Sequence, residues 1–193
     1  MRIERLETES NGEFIGIAEL HNSNCLKQEE LIQLAKSLSS DSLTVQLLNG
    51  LLSADETHLL SAAQNAINAK QGDYMLSRSL DVEIIVFASA QRQIGRALDE
   101  LGVYDGLDDI AVVVVGTASS AVKDCIQDLA GKIGSEVIPA FAATSERLER
   151  IKDHYQISDK EIRAISDSDK IESQLTALSR CLVSRVSLVA FDT

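Results

Sequence analysis

The 193-residue chain carries 30 acidic and 18 basic side chains, for a formal net charge of −12, with 45% hydrophobic and 4% aromatic residues. That balance excludes a disordered chain and calls for a core of Leu, Ile, Val and Ala. The acidic surface repels phosphate, so broad non-specific nucleic-acid binding is excluded while a local basic patch is not. No apolar run reaches the roughly 18 residues needed to span a bilayer, and the stretch from Met1 to Arg5 lacks the apolar segment of a signal peptide. A cytoplasmic protein without membrane contact is expected, nuclear as well if the source is eukaryotic. Cys25, Cys125 and Cys181 lie far apart without a CxxC pair, which points to buried free thiols and no metal site.

In chain order, Glu13 to Glu19 reads as a strand and Lys27 to Leu38 as an amphipathic helix with Leu31, Leu34, Ala35 and Leu38 on one face. Leu43 to Leu48 is a short strand closed by Asn49-Gly50. Ser53-Ala54-Asp55-Glu56 matches a capping box with Ser53 as cap, opening a helix that runs to about Lys70. Asp81 to Ala88 is apolar and β-branched, the pattern of a buried strand. A helix is expected from Ser89, with Ile94, Ala97, Leu98 and Leu101 on one face and Gly102 as its terminating glycine.

Ile110 to Val115 is a second buried strand, followed by a helix carrying Val122, Cys125, Ile126 and Leu129. Alternation of strand and helix implies a parallel crossover. Beyond Pro139 the chain reads as helices, with capping boxes at Ser158-Asp159-Lys160-Glu161 and Asp169-Lys170-Ile171-Glu172. The final stripe of Ile171, Leu175, Leu178, Leu182, Val186 and Val189 is expected to pack on the sheet. The expected fold is α/β, a single domain over residues 1–193 with a small central sheet, helices packed on it and a helical C-terminal tail.

A search for chemistry returns no catalytic residues, no metal ligands and no cofactor. His21, His58 and His154 are scattered, and neither GxGxxG, GxxxxGK[ST] nor GxSxG occurs. Gly116 to Ser120 joins a buried strand to a helix N-terminus, a geometry that suits an anion or a simple hydroxyl cap. It supports an alternative reading as a stand-alone nucleotide- or anion-binding α/β enzyme.

The helix after Ser89 breaks three local rules within five residues. Arg92 would lie in its first turn against the helix dipole, Arg92 and Arg96 would form a like-charged i, i+4 pair, and Gly95 would weaken the interior. Two accounts stand level: Arg96 pairs with Asp99 or Glu100, Arg92 with an acid elsewhere and Gly95 admits a neighbouring helix, or the face binds an anion or a partner.

Asn49-Gly50-Leu51-Leu52, His58 to Ala63 with Ala66, Arg78 to Ile84, and Ala88 to Ile94 with Ala97-Leu98 and Gly102 together resemble the kinase-binding subunit of the KEOPS (EKC) complex, the TPRKB-like family of PRPK-binding proteins. The family often has Gly where this chain has Ala90, and many members are shorter. The resemblance implies a non-catalytic α/β subunit of the complex that installs threonylcarbamoyl on the adenosine beside the anticodon. It implies binding and regulation of a PRPK-like kinase/ATPase subunit, indirect contact with the threonylcarbamoyl transferase subunit, and recruitment of tRNA through its 3′ CCA end.

Arg92, Gln93 and Ile94 suit such a single-stranded tail by charge, amide and apolar contact, with His58 and Arg96 near them. Arg78 would meet either tRNA or kinase, or pair with Asp81 or Glu83. The kinase contact is expected on the helix carrying Arg92 and Arg96 or on the C-terminal helix.

Overall fold

The computed structural model describes residues 1–6 and 12–191. The elements run β1 (Arg2–Leu6), β2 (Glu13–His21), α1 (Gln28–Leu38), β3 (Leu43–Asn49), a 3₁₀ turn (Gly50–Leu52), α2 (Glu56–Gln71), α3 (Leu80–Ala88) and α4 (Ile94–Leu101). They continue with β4 (Asp109–Gly116), α5 (Ser119–Ile133), β5 (Ser135–Glu136), α6 (Ser145–Tyr155), α7 (Asp159–Ile165) and α8 (Ile171–Leu188). The sheet order is β1-β2-β4-β3, with β5 on β2.

Every pairing among the described residues is antiparallel, and the expected parallel crossover is not found there. Its sequence signal came from β4, which is apolar on both sides because both faces of the sheet are covered. Ala111, Val113 and Val115 pack toward α2 and α3, while Ile110, Val112 and Val114 pack toward α1 and α5. A doubly covered antiparallel strand carries the same continuous run as a parallel one.

The second correction is α3. Asp81 to Ala88 is helical, and nearly every residue of α3 is buried. A short run buried on all sides has no period to read, so β-branched composition alone misleads. Its start is set locally: Asp81 and Glu83 stand in the first turn. Glu83, itself fully buried, turns back to accept Leu76 N–H at 3.0 Å and Ser77 N–H at 2.7 Å.

Caps differ in detail from expectation. Asp55, not Ser53, caps α2 by accepting His58 N–H at 2.8 Å, while Ser53 Oγ donates to the Asn49 carbonyl. The Ser158–Glu161 box is present, whereas α8 starts after Lys170 without a side-chain cap from Asp169. α8 packs on α2, α6 and α7 rather than on the sheet; α6, α7 and α8 form an apolar cluster of their own around Leu148, Ile151, Tyr155, Leu178 and Leu182, while Val186 and Val189 join the core cluster that holds α2 and α3. Cys125 and Cys181 are buried, but Cys25 is exposed.

Candidate functional site

The segment from Arg78 to Gly102 forms an antiparallel helical pair whose two ends differ in character. α4 starts at Ile94, with Gln93 at its cap position, so Ser89 ends α3 instead of opening a helix. Arg92 therefore lies outside the helix, and the dipole and like-charge penalties expected for it do not arise. Gly95 sits in the first turn, and a Cβ there would meet nothing within 4 Å, so no neighbouring helix requires it. Gly102 ends α4 in an extended conformation, where a Cβ would stand 2.3 Å from the Leu98 carbonyl oxygen.

At the C-terminal end of α3 the polar groups are bonded to one another. His58 is fully buried. Its Nδ1 accepts Ala54 N–H at 3.3 Å, which leaves the proton on Nε2 to donate to the Ala88 carbonyl at 2.9 Å. Burial holds its pKa below the ordinary imidazole value, against the bond to Ala88 and the charge of Asp55.

Tyr155 Oη donates toward the same carbonyl and toward that of Leu52, both at 3.2 Å, and its ring meets His58 edge-on. Deeper still, Arg147 donates to Glu19 at 2.6 Å and to the carbonyls of Gly50 and Ser53 at 2.9 and 2.8 Å. The second oxygen of Glu19 accepts Phe141 N–H, and the Arg147 guanidinium lies 5.5 Å from the Phe141 ring centroid. This buried knot ties β2, the 3₁₀ turn and α6 to the root of α2.

Around it the surface cations are engaged. Arg92 Nη1 donates to the Val189 carbonyl at 3.1 Å, joining the turn before α4 to the end of α8. Arg96 pairs with Glu100 at 2.7 Å. Burial opposes ionisation of Glu100, yet bonds from Arg96 and Gln91 leave its carboxyl below the usual range.

The N-terminal end of α3 is open. A groove of about 680 Å³ runs between α1, β3, the start of α3 and the end of α4. Leu31, Leu47, Leu80 and Val103 form its floor, and Ile32 and Leu98 stand exposed on its walls. Lys36 of α1, Lys70 of α2 and Arg78 just before α3 line it, together with two carboxylates, Asp41 and Asp81. Among the described residues no carboxylate lies within ion-pair distance of these three cations. The salt bridge expected from Arg78 to Asp81 or Glu83 is therefore absent.

The sequence-predicted residues separate accordingly. Arg92, Gln93, Ile94 and Arg96 cluster at one end, with Arg92, Gln93 and Arg96 exposed and Ile94 half-buried. Arg78 stands at the other, beyond the nine residues of α3. His58 belongs to neither surface, because both ring nitrogens are bonded in the interior; this corrects its assignment as an RNA contact. Lys36 and Lys70 escaped sequence reading, since a lone lysine on a polar helix face carries no pattern. Thr117 to Ser120 are exposed, and α5 is capped by the Ala118 backbone without a side-chain bond.

No curated protein matches the chain. The profile of the family described as kinase binding protein CGI-121 does match, over residues 19–190, which takes in the core of the sheet, the α3–α4 pair and the C-terminal helices. The chain belongs to the CGI-121 family of kinase-binding proteins.

Proposed function

We propose that this chain is a non-catalytic subunit of the KEOPS complex, which binds and regulates the complex's PRPK-like kinase/ATPase subunit and helps recruit tRNA through its 3′ CCA end. The observation that carries this reading is the kinase-binding family match over residues 19–190. The kinase contact is assigned to the exposed end of α8, where Leu188 is 54% and Phe191 75% exposed beside the turn that holds Arg92. Large apolar side chains left bare in this way mark protein contacts more often than isolated surface positions do.

The tRNA tail is assigned to the Gln91–Ile94 turn, where Arg92 keeps donors free beyond its bond to Val189, and to Arg78. Through the kinase, the subunit would reach the threonylcarbamoyl transferase indirectly.

Gel filtration of the chain with the KEOPS kinase subunit of the same organism tests the reading. Co-elution with a changed ATPase rate is expected, and Phe191→Glu should weaken it. Separate elution with an unchanged rate would overturn the proposal.

A further inference from the structure

The groove between α1, β3 and the start of α3 holds charges that the fold itself leaves idle. Lys36 and Lys70 stand in the last turns of α1 and α2, where the helix dipole favours a cation without occupying its ammonium group. Arg78 lies just before the Ser79 cap of α3, at the end where the dipole disfavours a cation. Among the described residues no carboxylate offsets that cost within ion-pair distance. Three cations against two carboxylates reverse the balance of a chain with 30 acidic and 18 basic side chains. The groove therefore complements an acidic occupant.

Its lining narrows the kind of occupant. None of the described residues that line it is aromatic, so a nucleobase finds no ring to stack on. The floor of Leu31, Leu47, Leu80 and Val103 is aliphatic, and beside it Ile32 and Leu98 stand 38% and 42% exposed. A small ligand resting on the floor would leave those two side chains bare, whereas a chain segment laid along the groove covers them.

An added peptide strand fits poorly, although β3 is an edge strand. Leu43 exchanges both backbone bonds with Ser40, Val45 N–H donates to Ser39 Oγ at 3.2 Å, and the Leu47 carbonyl accepts Gln46 Nε2 at 2.7 Å. A new strand would have to displace these bonds. A helix needs none of them, because its backbone is bonded internally and only its side chains are read.

We propose that this groove docks an acidic amphipathic helix of a partner protein. Its apolar stripe lies on Ile32, Leu47, Leu80 and Leu98, and its flanking carboxylates meet Lys36, Lys70 and Arg78. No residue of α8 or of the Gln91–Ile94 turn lines the groove, so this surface is separate from both contacts proposed above except at Arg78. Lys36, Lys70 and Leu98 belong to the groove alone and carry the test.

Fluorescence anisotropy on the full chain, free and with its kinase subunit bound, uses a labelled helical peptide of about 15 residues, with Leu at i, i+3, i+4 and i+7 and Glu elsewhere. The same peptide with Gln for Glu, and a shuffled peptide of equal composition, serve as controls. The acidic peptide should bind alike with and without kinase. Leu98→Asp and Ile32→Asp should each weaken it by about tenfold. Lys36→Glu and Lys70→Glu should each weaken it by about threefold to tenfold and leave the Gln peptide, itself a weaker ligand, unaffected. Arg92→Glu and Lys160→Glu on α7 should change nothing.

Absence of wild-type binding, equal binding of the shuffled peptide, or wild-type affinity in both Leu98→Asp and Lys36→Glu would overturn the docking site. Displacement of the peptide by kinase would make the groove part of the kinase contact and overturn a separate partner. A single-stranded oligoribonucleotide that loses affinity in Leu98→Asp and Lys36→Glu, where the peptide does not, would assign the groove to RNA instead. None of these results bears on co-elution with the kinase, and unchanged melting of each variant excludes misfolding as the cause.

Discussion

The two ends of α3 place polar and charged groups to opposite effect. At the C-terminal end the Ala88 carbonyl receives two donors, His58 and Tyr155, and Arg92 and Arg96 are bonded to Val189 and Glu100. At the N-terminal end three cations line an apolar groove, and among the described residues no carboxylate is bonded to any of them. Buried groups that satisfy each other fix a fold and offer little to a ligand. Cations left unpaired over an apolar floor contribute little to stability and are available to bind. The residues that look anomalous in sequence, Arg92 and Arg96, are exposed at the rim of the first end, each with a bond to the protein, and the less conspicuous Lys36 and Lys70 line the groove at the second.

The largest expected effect tests the locked end. Arg147→Ala leaves the Glu19 carboxylate buried and unpaired and should cost about 3–5 kcal/mol, lowering the melting temperature by on the order of 10 °C. The charge reversals Lys36→Glu and Arg78→Glu, at exposed positions, should move stability by no more than about 0.5 kcal/mol. A comparable loss from the groove variants in thermal denaturation would erase the distinction between the ends.

Next come the two donors to Ala88. His58→Gln and Tyr155→Phe should each destabilise by about 1–3 kcal/mol, because each leaves a buried polar group short of a partner. Their double mutant should lose more than the sum of the two, since only the double change leaves the buried Ala88 carbonyl without a donor. Full additivity in urea denaturation would show that they do not work together.

The pH dependence follows from the same pair. Burial lowers the pKa of His58 in the folded state, so the unfolded chain takes up the proton first. Stability is therefore fully present above the unfolded imidazole value of about 6.5 and falls as pH drops below it. His154, lowered by burial against the charge of Glu100, acts in the same direction. Urea midpoints between pH 7.5 and 5.5 should fall in the wild type and flatten in His58→Gln more than in His154→Gln. An equal slope in His58→Gln would remove His58 as the cause.

The smallest effect concerns the turn itself. Ala90 adopts φ +53°, the left-handed region that glycine occupies at no steric cost. Ala90→Gly should stabilise by roughly 0.5–1 kcal/mol, as relief of about 1–2 kcal/mol of strain is partly offset by a more flexible unfolded chain. A lower midpoint would mean that the Ala90 methyl contributes more by packing than its backbone costs.

These particulars show what could be read in the sequence. β2, α1, β3, α2, β4 and α5 follow from period and turn residues, because each has one dominant pattern and a clear stop. α3 does not, because a helix buried on every side and a buried strand have the same composition. The antiparallel order could not be read for a related reason: double coverage of β4 hides the alternation that would mark it.

Of the candidate site, the resemblance to a family singled out the Gln91–Ile94 turn and Arg78. The Glu19–Arg147 pair was not, since its partners are remote in the chain and each looks like an ordinary surface charge. Lys36 and Lys70 acquire meaning only when the fold brings them to one groove.

Amide hydrogen exchange of the chain, free, with its kinase subunit and with kinase plus the acidic helical peptide, tests the division most directly. Kinase should protect the end of α8, residues 186–191, and leave residues 36–47 and 75–81 at their free rates until the peptide is added. Protection of the groove segments by kinase alone, with no further change on adding the peptide, would contradict it.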